Sequence, residues 1–247
     1  MIDLKSSRNL LIQRMSDLDR ERLGSHFTAV RLDFKQTLLE QDAPIEFVYF
    51  IESGVMSMVT DLLDGNTIET GTVGNEGLVG LSAVLGVLRP PGRVFTQIAG
   101  SALRIPAEVI IEEAEEGTAW FRLLLRYANF VTAMTAQTAA CNRMHAVEAR
   151  ASRWLLMTHD RVEGDDFALT QEFLSVMLGV ARPTVNIVGA TLQKAGFIQY
   201  TRGRITVLDR AGLESASCEC YGRIRDELDR MLNPPQLRSV PRAQRRP

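Results

Sequence analysis

The sequence predicts an α+β protein with an N-terminal antiparallel β-roll, a long dimerisation helix and a C-terminal winged helix–turn–helix. Three features favour this class. Short strand-like segments fill the region before residue 106, an uninterrupted helical segment follows, and the last third contains two helices around a sharp turn and then a basic hairpin. At 247 residues the chain is long enough for two domains, each with its own core.

Charge divides the chain into two unlike parts. Residues 1–117 contain 10 basic and 18 acidic residues, a net charge of −8, whereas residues 118–247 contain 18 basic and 12 acidic residues, a net charge of +6. The positive part is the one expected to face a polyanion.

The N-terminus is amphipathic rather than a signal peptide, no apolar run reaches membrane-spanning length, and three cysteines make no disulfide framework, so we expect a cytoplasmic protein without membrane contact.

The β-roll is predicted over residues 1–117. Its first part, residues 7–25, is predicted to be helical, and Ser16-Asp17 is a candidate cap where one helix could end and another begin. DGN at Asp64–Asn66 predicts a tight hairpin because Asp and Gly tolerate positive φ, and ESG at Glu52–Gly54 predicts a second turn. The acidic run Glu112–Gly117 is predicted to be a solvated helix face. The strand segments are AVRLDF, TLLEQ, FVYFIESG, VMSMVTDL, TIETGTV and RVFTQIAG.

The dimerisation helix is predicted over residues 118–144. The segment Ala119–Arg143 lacks Gly and Pro, and it would extend about 37 Å at 1.5 Å per residue. A helix this long needs a second surface to cover it. We expect a parallel copy of the same helix, with the first turns also touching the β-roll; the alternative is burial along its own β-roll. The predicted apolar stripe contains Phe121, Leu124, Leu125, Tyr127, Ala128, Val131, Met134 and Ala139.

The helix–turn–helix is predicted within residues 145–232. LTQEFLSVMLGV is a short helix with Thr170 as its N-cap, and Gly179 supplies the backbone freedom that a sharp turn needs. The next helix starts beside Pro183 and ends before Gly196. Apolar residues fix one face, so the other face can project outward. The fixing residues are Val185, Val188 and Leu192.

A basic hairpin follows the second helix. FIQYTRGRITVLD predicts strand, turn and strand, with the turn at Arg202-Gly203 and Arg204 beside it. Such a wing reaches phosphates next to a DNA groove. A final helix is predicted over RAGLESASCECYGRIRDELDRML, and residues 233–247, with four arginines and no acidic residue, are expected to be a disordered tail.

This order of elements resembles the Crp/Fnr family of bacterial transcription regulators, relatives of the cyclic-AMP receptor protein. The resemblance rests on VYFIESGVMSMV, DGNTIETGTVGNEGLVGL, LTQEFLSVMLGVARPTV and AGFIQYTRGRITVLD, and it extends from about residue 10 to residue 230. It implies that the β-roll is a jelly roll like the cyclic nucleotide-binding domain. It also implies a homodimer on a two-fold symmetric site in double-stranded DNA, and contact with RNA polymerase.

The resemblance assigns candidate DNA contacts. In the family the recognition helix begins with an Arg that reads guanine, a position held here by Arg182, and Thr184 falls on a phosphate-contacting position. Pro183 and Ile187 stand where the family has an acidic residue and a second Arg, so the preferred DNA sequence should differ. Asn186 is a candidate adenine reader, which is our inference from its place on the helix. Further candidate contacts are Thr170, Gln171, Arg202 and Arg204.

The candidate effector pocket departs from the family's cyclic-nucleotide cassette. That cassette resembles GELGL…RS, in which a Glu accepts a ribose hydroxyl, whereas this chain has GLVGL with Leu78 at the Glu position. Leu78 cannot accept a hydrogen bond, and an unpaired buried hydroxyl costs about 1–3 kcal/mol. Cyclic AMP is therefore not expected as a cofactor. Glu76 and Arg93 are expected to be surface residues; the alternative is that they form an altered anion site. The candidate pocket residues are Gly77, Leu78, Val79, Arg93 and Val94.

No metal or iron–sulfur cofactor is expected from the sequence. No cysteine precedes Cys141, which excludes the family's N-terminal cluster. Cys218 and Cys220, taken as neighbours on one helix, would point about 200° apart, which is unfavourable for sharing an ion. The three histidines are far apart in sequence, which argues against a metal-dependent enzyme. The leading hypothesis is a DNA-binding regulator rather than an enzyme; the alternative is a β-roll ligand-binding module that acts through protein partners.

Overall fold

The structure, a computed structural model, describes residues 2–113 and 118–234. Short 3-10 turns at Leu4–Ser6 and Ile12–Arg14 lead into helix α1 (Asp17–Leu23), and another turn, Gly24–His26, follows it. The predicted cap is confirmed, because Ser16 and Asp19 form a reciprocal capping box at the start of α1.

The β-roll is an antiparallel sheet. Its strands are β1 (Thr28–Leu32), β2 (Thr37–Leu39), β3 (Phe47–Asp61), β4 (Thr67–Val73), β5 (Leu78–Val79) and β6 (Arg93–Pro106). Their order is β1-β6-β3-β4, with β2 paired to the part of β6 that β1 leaves free and β5 paired to β3. The long strands β3 and β6 pair from Phe47 opposite Pro106 to Val59 opposite Arg93, and their inward side chains make the core.

One predicted turn of the β-roll is confirmed and one is wrong. At Asp64–Asn66 the Leu62 N–H donates to the Asn66 carbonyl, and Gly65 has a φ of +85°. The turn predicted at Glu52–Gly54 is absent, because β3 continues through it with a bulge at Gly54 (φ +86°). A bulge bends a strand without reversing it, which lets one strand serve both ends of the roll.

A long helix leaves the β-roll. Helices α2 (Leu81–Val84) and α3 (Ala107–Glu113) are short, and α4 spans Ala119–Met144 with Thr118 as its N-cap. Residues 114–117, which hold most of the predicted acidic helix face, lie outside the described residues. The Trp120 ring stacks on Phe50 at 5.9 Å, which fixes the start of α4 against the sheet.

The buried face of α4 is rotated from the predicted stripe. Leu124, Tyr127 and Met134 are buried as expected, but Leu125 and Ala139 are exposed. The sheet and the C-terminal helix of the same chain cover α4, so burial along its own β-roll accounts for this face. The buried residues of α4 are Trp120, Leu123, Leu124, Tyr127, Phe130, Met134, Thr138 and Cys141.

The C-terminal domain begins directly after α4. It contains a second small antiparallel sheet in the order β7-β9-β8. The single final helix that the sequence predicts is wrong, because the chain turns at Ser217–Glu219. The tail prediction concerns residues 233–247, and residues 235–247 lie outside the described part. The elements are α5 (Val147–His159), β7 (Asp166–Ala168), α6 (Gln171–Leu178), α7 (Arg182–Lys194), β8 (Ile198–Thr201), β9 (Arg204–Val207), α8 (Arg210–Ala216) and α9 (Cys220–Leu232).

A membrane-spanning helix is not found as a single element in residues 2–113 and 118–234. The pair α6 and α7 meets the length and composition criteria together, but it is bent by 106°.

The bulge at Gly54 can be tested by substitution. A Cβ there would lie 2.5 Å from the Ile98 carbonyl oxygen, whereas a Cβ on Gly65, which has nearly the same positive φ, meets nothing within 4 Å. We expect Gly54→Ala to lower the free energy of unfolding by about 3 kcal/mol and Gly65→Ala by about 1 kcal/mol. Equal losses in urea unfolding would contradict this assignment.

Candidate nucleic-acid interface and effector cavity

Helices α6 and α7 meet in a sharp helix–turn–helix. Gly179 ends α6 in the left-handed region (φ +63°), where its N–H donates to the Val176 carbonyl, and the Val180 N–H donates to the Ser175 carbonyl. This terminus satisfies the last carbonyls of α6 and redirects the chain by 106° into α7. The turn predicted around Gly179 is therefore confirmed.

Helix α7 is fixed on one face and free on the other. Val185, Val188 and Leu192 are at most 4% exposed, as predicted. The opposite face is open, with Asn186 exposed and Ile187 64% exposed. An apolar side chain of that size on the open face is available for contact with a partner and is not part of the core.

The first turn of α7 brings several predicted contacts together. Arg182 is the first helical residue, Pro183 the second, and Thr184 is half-buried. Arg182 and Asn186 are four residues apart, so their side chains project from the same face. The N-cap Ala181 makes no side-chain capping bond, and its carbonyl accepts from the Thr184 N–H at 2.9 Å, so the contacts available to a partner in this turn are side chains.

The wing is held against α7. The Tyr200 N–H donates to Gln193 Oε1 at 2.8 Å, and the Tyr200 hydroxyl donates to the Leu169 carbonyl at 3.0 Å. Arg202 lies at the exposed tip with a φ of +50°. Arg204 Nε donates to Asp166 Oδ2 at 2.9 Å, so its charge already has a partner within the domain. Both wing arginines are exposed, and Arg204 is the one that has a carboxylate partner within the domain.

The start of α6 faces a groove shared with the β-roll. Thr170 Oγ1 accepts from the Phe173 N–H at 3.1 Å, which confirms Thr170 as the N-cap. Thr170 also lines a groove with Lys35 and Arg93, while the Phe173 ring meets Phe95 edge-on at 6.0 Å. Gln171, the next residue, is half-buried. The structure therefore brings Thr170 together with β-roll cations.

Buried polar contacts dock the C-terminal domain on the β-roll. Trp154 Nε1 donates to Glu69 Oε1 at 2.6 Å, and Arg161 donates to Glu76 Oε1 from Nε at 3.0 Å and from Nη2 at 2.8 Å. The expectation that Glu76 is a surface residue is wrong, because it is 4% exposed. Its partner is distant in sequence, so no local pattern reveals the pair.

Glu69 is a buried carboxyl that titrates close to neutral pH. Burial raises its pKa to about 7, against hydrogen bonds from Ser57 and Trp154 and the charges of Arg153 and Arg161, which lower it. Ser57 Oγ lies 2.9 Å from Glu69 Oε2 and 2.8 Å from Gln97 Oε1. A hydroxyl has one proton to donate, so a protonated Glu69 can donate to Ser57 while Ser57 donates to Gln97.

The predicted effector residues converge on one cavity of about 330 Å³. Leu78, Val79, Arg93 and Val94 line it, together with Tyr127, Val131 and Thr135 from α4. Its walls are mainly apolar, and its volume is at the lower end of small-molecule sites. Gly77 lies behind the wall: a Cβ there would come within 2.2 Å of the Tyr127 hydroxyl, which donates to the Leu78 carbonyl at 3.0 Å.

Arg93 does not offer a free charge to this cavity. Its Nε and Nη2 donate to the two carboxylate oxygens of Asp61 at 2.7 and 3.0 Å. The same hydrogen bonds hold the pKa of Asp61 at about 2, so the pair stays charged at neutral pH. Arg93 also lines the groove beside Thr170, and it therefore lies between the cavity and the helix–turn–helix.

Three cysteines and a histidine from two distant parts of the sequence form an unexpected cluster. The ligand atoms of Cys141, His145, Cys218 and Cys220 all lie within 4.8 Å of one another. The expectation that Cys218 and Cys220 diverge on one helix is wrong, because Cys218 precedes α9 and only Cys220 belongs to it. The i,i+4 spacing of Cys141 and His145 at the end of α4 is the sequence signal that could have shown part of this cluster.

Comparison with known proteins identifies two domains. The profile of the cyclic nucleotide-binding domain matches residues 29–118, and that of the Crp-like helix-turn-helix domain matches residues 149–216. A search of curated protein sequences finds no match.

Solved structures share the fold over about three quarters of this chain at low sequence identity. FixK2 from Bradyrhizobium japonicum has a TM-score of 0.67 at 16% identity, covering 78% of this chain and 98% of its own. TTHB099, a CRP-family transcriptional regulator from Thermus thermophilus, has a TM-score of 0.62 at 22% identity, covering 76% and 96%. The c-di-GMP-responsive global regulator CLP from Xanthomonas campestris has a TM-score of 0.60 at 16% identity, covering 78% and 99%.

The protonation of Glu69 predicts a pH dependence of stability. Between the unfolded pKa near 4.5 and the folded pKa near 7, the folded state keeps a proton that the unfolded chain releases. The free energy of unfolding should therefore fall by about 3 kcal/mol from this group as pH rises through that window. Glu69→Gln should abolish this pH-dependent loss of unfolding free energy and should be more stable than wild type at pH 8. The exposed control Glu172→Gln should show the same pH dependence as wild type. Parallel urea-unfolding profiles for wild type and Glu69→Gln would refute the assignment.

Proposed function

Because the chain belongs to the Crp/Fnr family of DNA-binding transcription regulators, we propose that it acts as a homodimer on a two-fold symmetric DNA site. The proposed units are a β-roll sensor (residues 1–117), a dimerisation helix (118–144), a winged helix–turn–helix domain (145–232) and an Arg-rich tail (233–247). The observation that carries the proposal is the exposed first turn of α7 on a helix whose other face is fixed in the core. The chain is a regulator rather than an enzyme.

DNA reading rests on α7. A major groove admits an α-helix, and Arg182 at its first position can donate two hydrogen bonds to guanine O6 and N7. Asn186, one turn later on the same face, can pair with adenine, and Ile187 can contact a thymine methyl group. Thr184, Thr170, Gln171 and Arg202 are proposed phosphate contacts. Arg204 joins them only if it leaves Asp166.

The uncovered face of α4 is the proposed dimer interface. The exposed residues there include small side chains that allow close helix approach, and Leu125 is 43% exposed. A two-fold axis along α4 would set the separation of the two α7 helices, about 34 Å for half-sites one turn apart. The small residues outside the buried face are Thr132, Ala136, Ala139 and Ala140.

A small and mainly apolar effector is proposed for the β-roll cavity. Three of its wall residues belong to α4, so a bound molecule would contact the helix whose opposite face is the proposed dimer interface. Arg93 touches both the cavity and the groove beside α6, which offers a second route to the helix–turn–helix. A ligand shifts the orientation of the DNA-binding domains only as far as it binds one arrangement better. Contact with RNA polymerase and a cytoplasmic location complete the proposal.

Substitution of Arg182 tests the DNA-reading role. Arg182→Ala should weaken binding to a selected DNA site about 10-fold or more in fluorescence anisotropy and relax the preference for one guanine, because a bidentate contact is lost. Arg223→Ala, an exposed arginine on α9, removes the same charge elsewhere and should have little effect. Equal losses from both variants would mean that binding is electrostatic and unspecific.

The chemistry of the cavity predicts a selective thermal shift. Cyclic AMP should change Tm by less than about 1 °C, because Leu78 cannot pair with its ribose hydroxyl, whereas the small apolar probe indole should raise Tm. Val131→Trp should fill the cavity and remove the indole shift. A clear rise in Tm with cyclic AMP would overturn the assignment of Leu78.

A further inference from the structure

The cysteine–histidine cluster joins two parts of the chain. Cys141 and His145 lie at the C-terminal end of α4, while Cys218 and Cys220 lie on either side of the start of α9. All three cysteines are buried, and His145 is half-buried. Cys141 Sγ and Cys218 Sγ are 3.4 Å apart, and Cys220 Sγ is 3.5 Å from His145 Nδ1.

These separations suit one tetrahedral ion. Zinc–sulfur bonds of about 2.3 Å and zinc–nitrogen bonds of about 2.0 Å at tetrahedral angles place the ligand atoms about 3.5–3.8 Å apart. The four ligand atoms lie within 4.8 Å of one another, so small movements would bring them onto one centre. An iron–sulfur cluster divides its ligands between irons and needs a wider spread.

The surroundings of the ligands are those of a metal site. His145 Nε2 lies 3.2 Å from Glu219 Oε2, so its other nitrogen, Nδ1, is the one turned to the cysteines. A ligating histidine commonly donates its second N–H to a carboxylate in this way. Gln137 Nε2 donates to Cys220 Sγ at 3.0 Å, a bond that would stabilise a thiolate.

Two buried arginines favour negative charge at the same place. Arg150 and Arg153 are 8% and 4% exposed, and within residues 2–113 and 118–234 neither makes an ion pair with a carboxylate, although the charge of Arg153 acts on the buried Glu69. The Nε atoms of both are buried without a hydrogen-bond partner in this part of the chain. Unpaired buried charge is costly. Three thiolates around a divalent ion have a net charge of −1, which would offset it.

Burial alone works against thiolates in the metal-free protein. It raises the pKa of Cys141 to about 12 and also raises the pKa of Cys218, while the charge of Arg153 lowers the pKa of Cys141. A divalent ion displaces thiol protons when it binds.

We propose that Cys141, His145, Cys218 and Cys220 bind one structural Zn²⁺ ion. Four protein ligands fill the coordination sphere and leave no position for a substrate, which is the arrangement of a structural site. The ion would join the end of α4 to the α8–α9 turn and so fix the helix–turn–helix domain to the long helix. The soft thiolate set favours zinc over magnesium or calcium.

Metal content and cobalt spectra of the full-length protein test the site. Wild type should contain one zinc per chain after chelation, reloading and desalting, and Co²⁺ should give tetrahedral ligand-field and thiolate charge-transfer bands. Cys220→Ser and His145→Gln should each lower metal affinity about 10-fold or more. His26→Gln replaces an exposed histidine outside the cluster and should bind like wild type. Absence of stoichiometric metal and of cobalt bands, or equal affinity in His145→Gln and His26→Gln, would overturn the proposal.

Thiol reactivity gives a readout that needs no variant. Zinc should slow alkylation of all three cysteines in the wild-type chain and raise Tm by about 8 °C or more at free zinc roughly 1,000 times Kd. Identical alkylation rates with and without zinc would contradict the site. So would formation of a Cys141–Cys218 disulfide at the same rate in both states, since that result would make the cluster a redox pair.

Discussion

The contact between the β-roll and the segment around α5 fixes the arrangement of the whole molecule. The Arg161–Glu76 ion pair and the Trp154–Glu69 hydrogen bond are buried, and each joins residues 85 positions apart. Removing one partner of a buried ion pair costs about 3–5 kcal/mol, because the other charge is left without a partner. The domains therefore dock in a specific register, and α5 positions the helix–turn–helix that follows.

This docking arrangement places the proposed effector cavity of the β-roll near the proposed DNA-reading helices. The β-roll cavity, the Arg93–Asp61 pair and the groove beside Thr170 form a continuous path from the proposed effector to α6. On the other side, Arg150 donates to the Leu178 carbonyl, one residue before the turn at Gly179, and lies next to the cysteine cluster. Both routes consist of contiguous physical contacts. If a substitution along either route changes DNA binding, that route is coupled to the helix–turn–helix.

Local patterns explain what the sequence could predict. The helix–turn–helix followed from a Gly at the turn, an N-capping Thr170 and the spacing of Val185, Val188 and Leu192, all of which act within a few residues. The pocket residues followed from the family resemblance. The bulge at Gly54, the burial of Glu76 and the break before Cys220 depend on partners far away in sequence, which periodicity cannot show. The cysteine–histidine cluster was missed for the same reason, since the fold alone brings α4 to α9.

Selection of binding sites from a pool of random double-stranded DNA tests whether α7 reads a two-fold symmetric site. We expect enrichment of a two-fold symmetric sequence with half-sites about one helical turn apart, in which one guanine per half-site loses its enrichment with Arg182→Ala. A pool that stays random with wild type, or an enriched site that Arg182→Ala selects unchanged, would contradict this expectation.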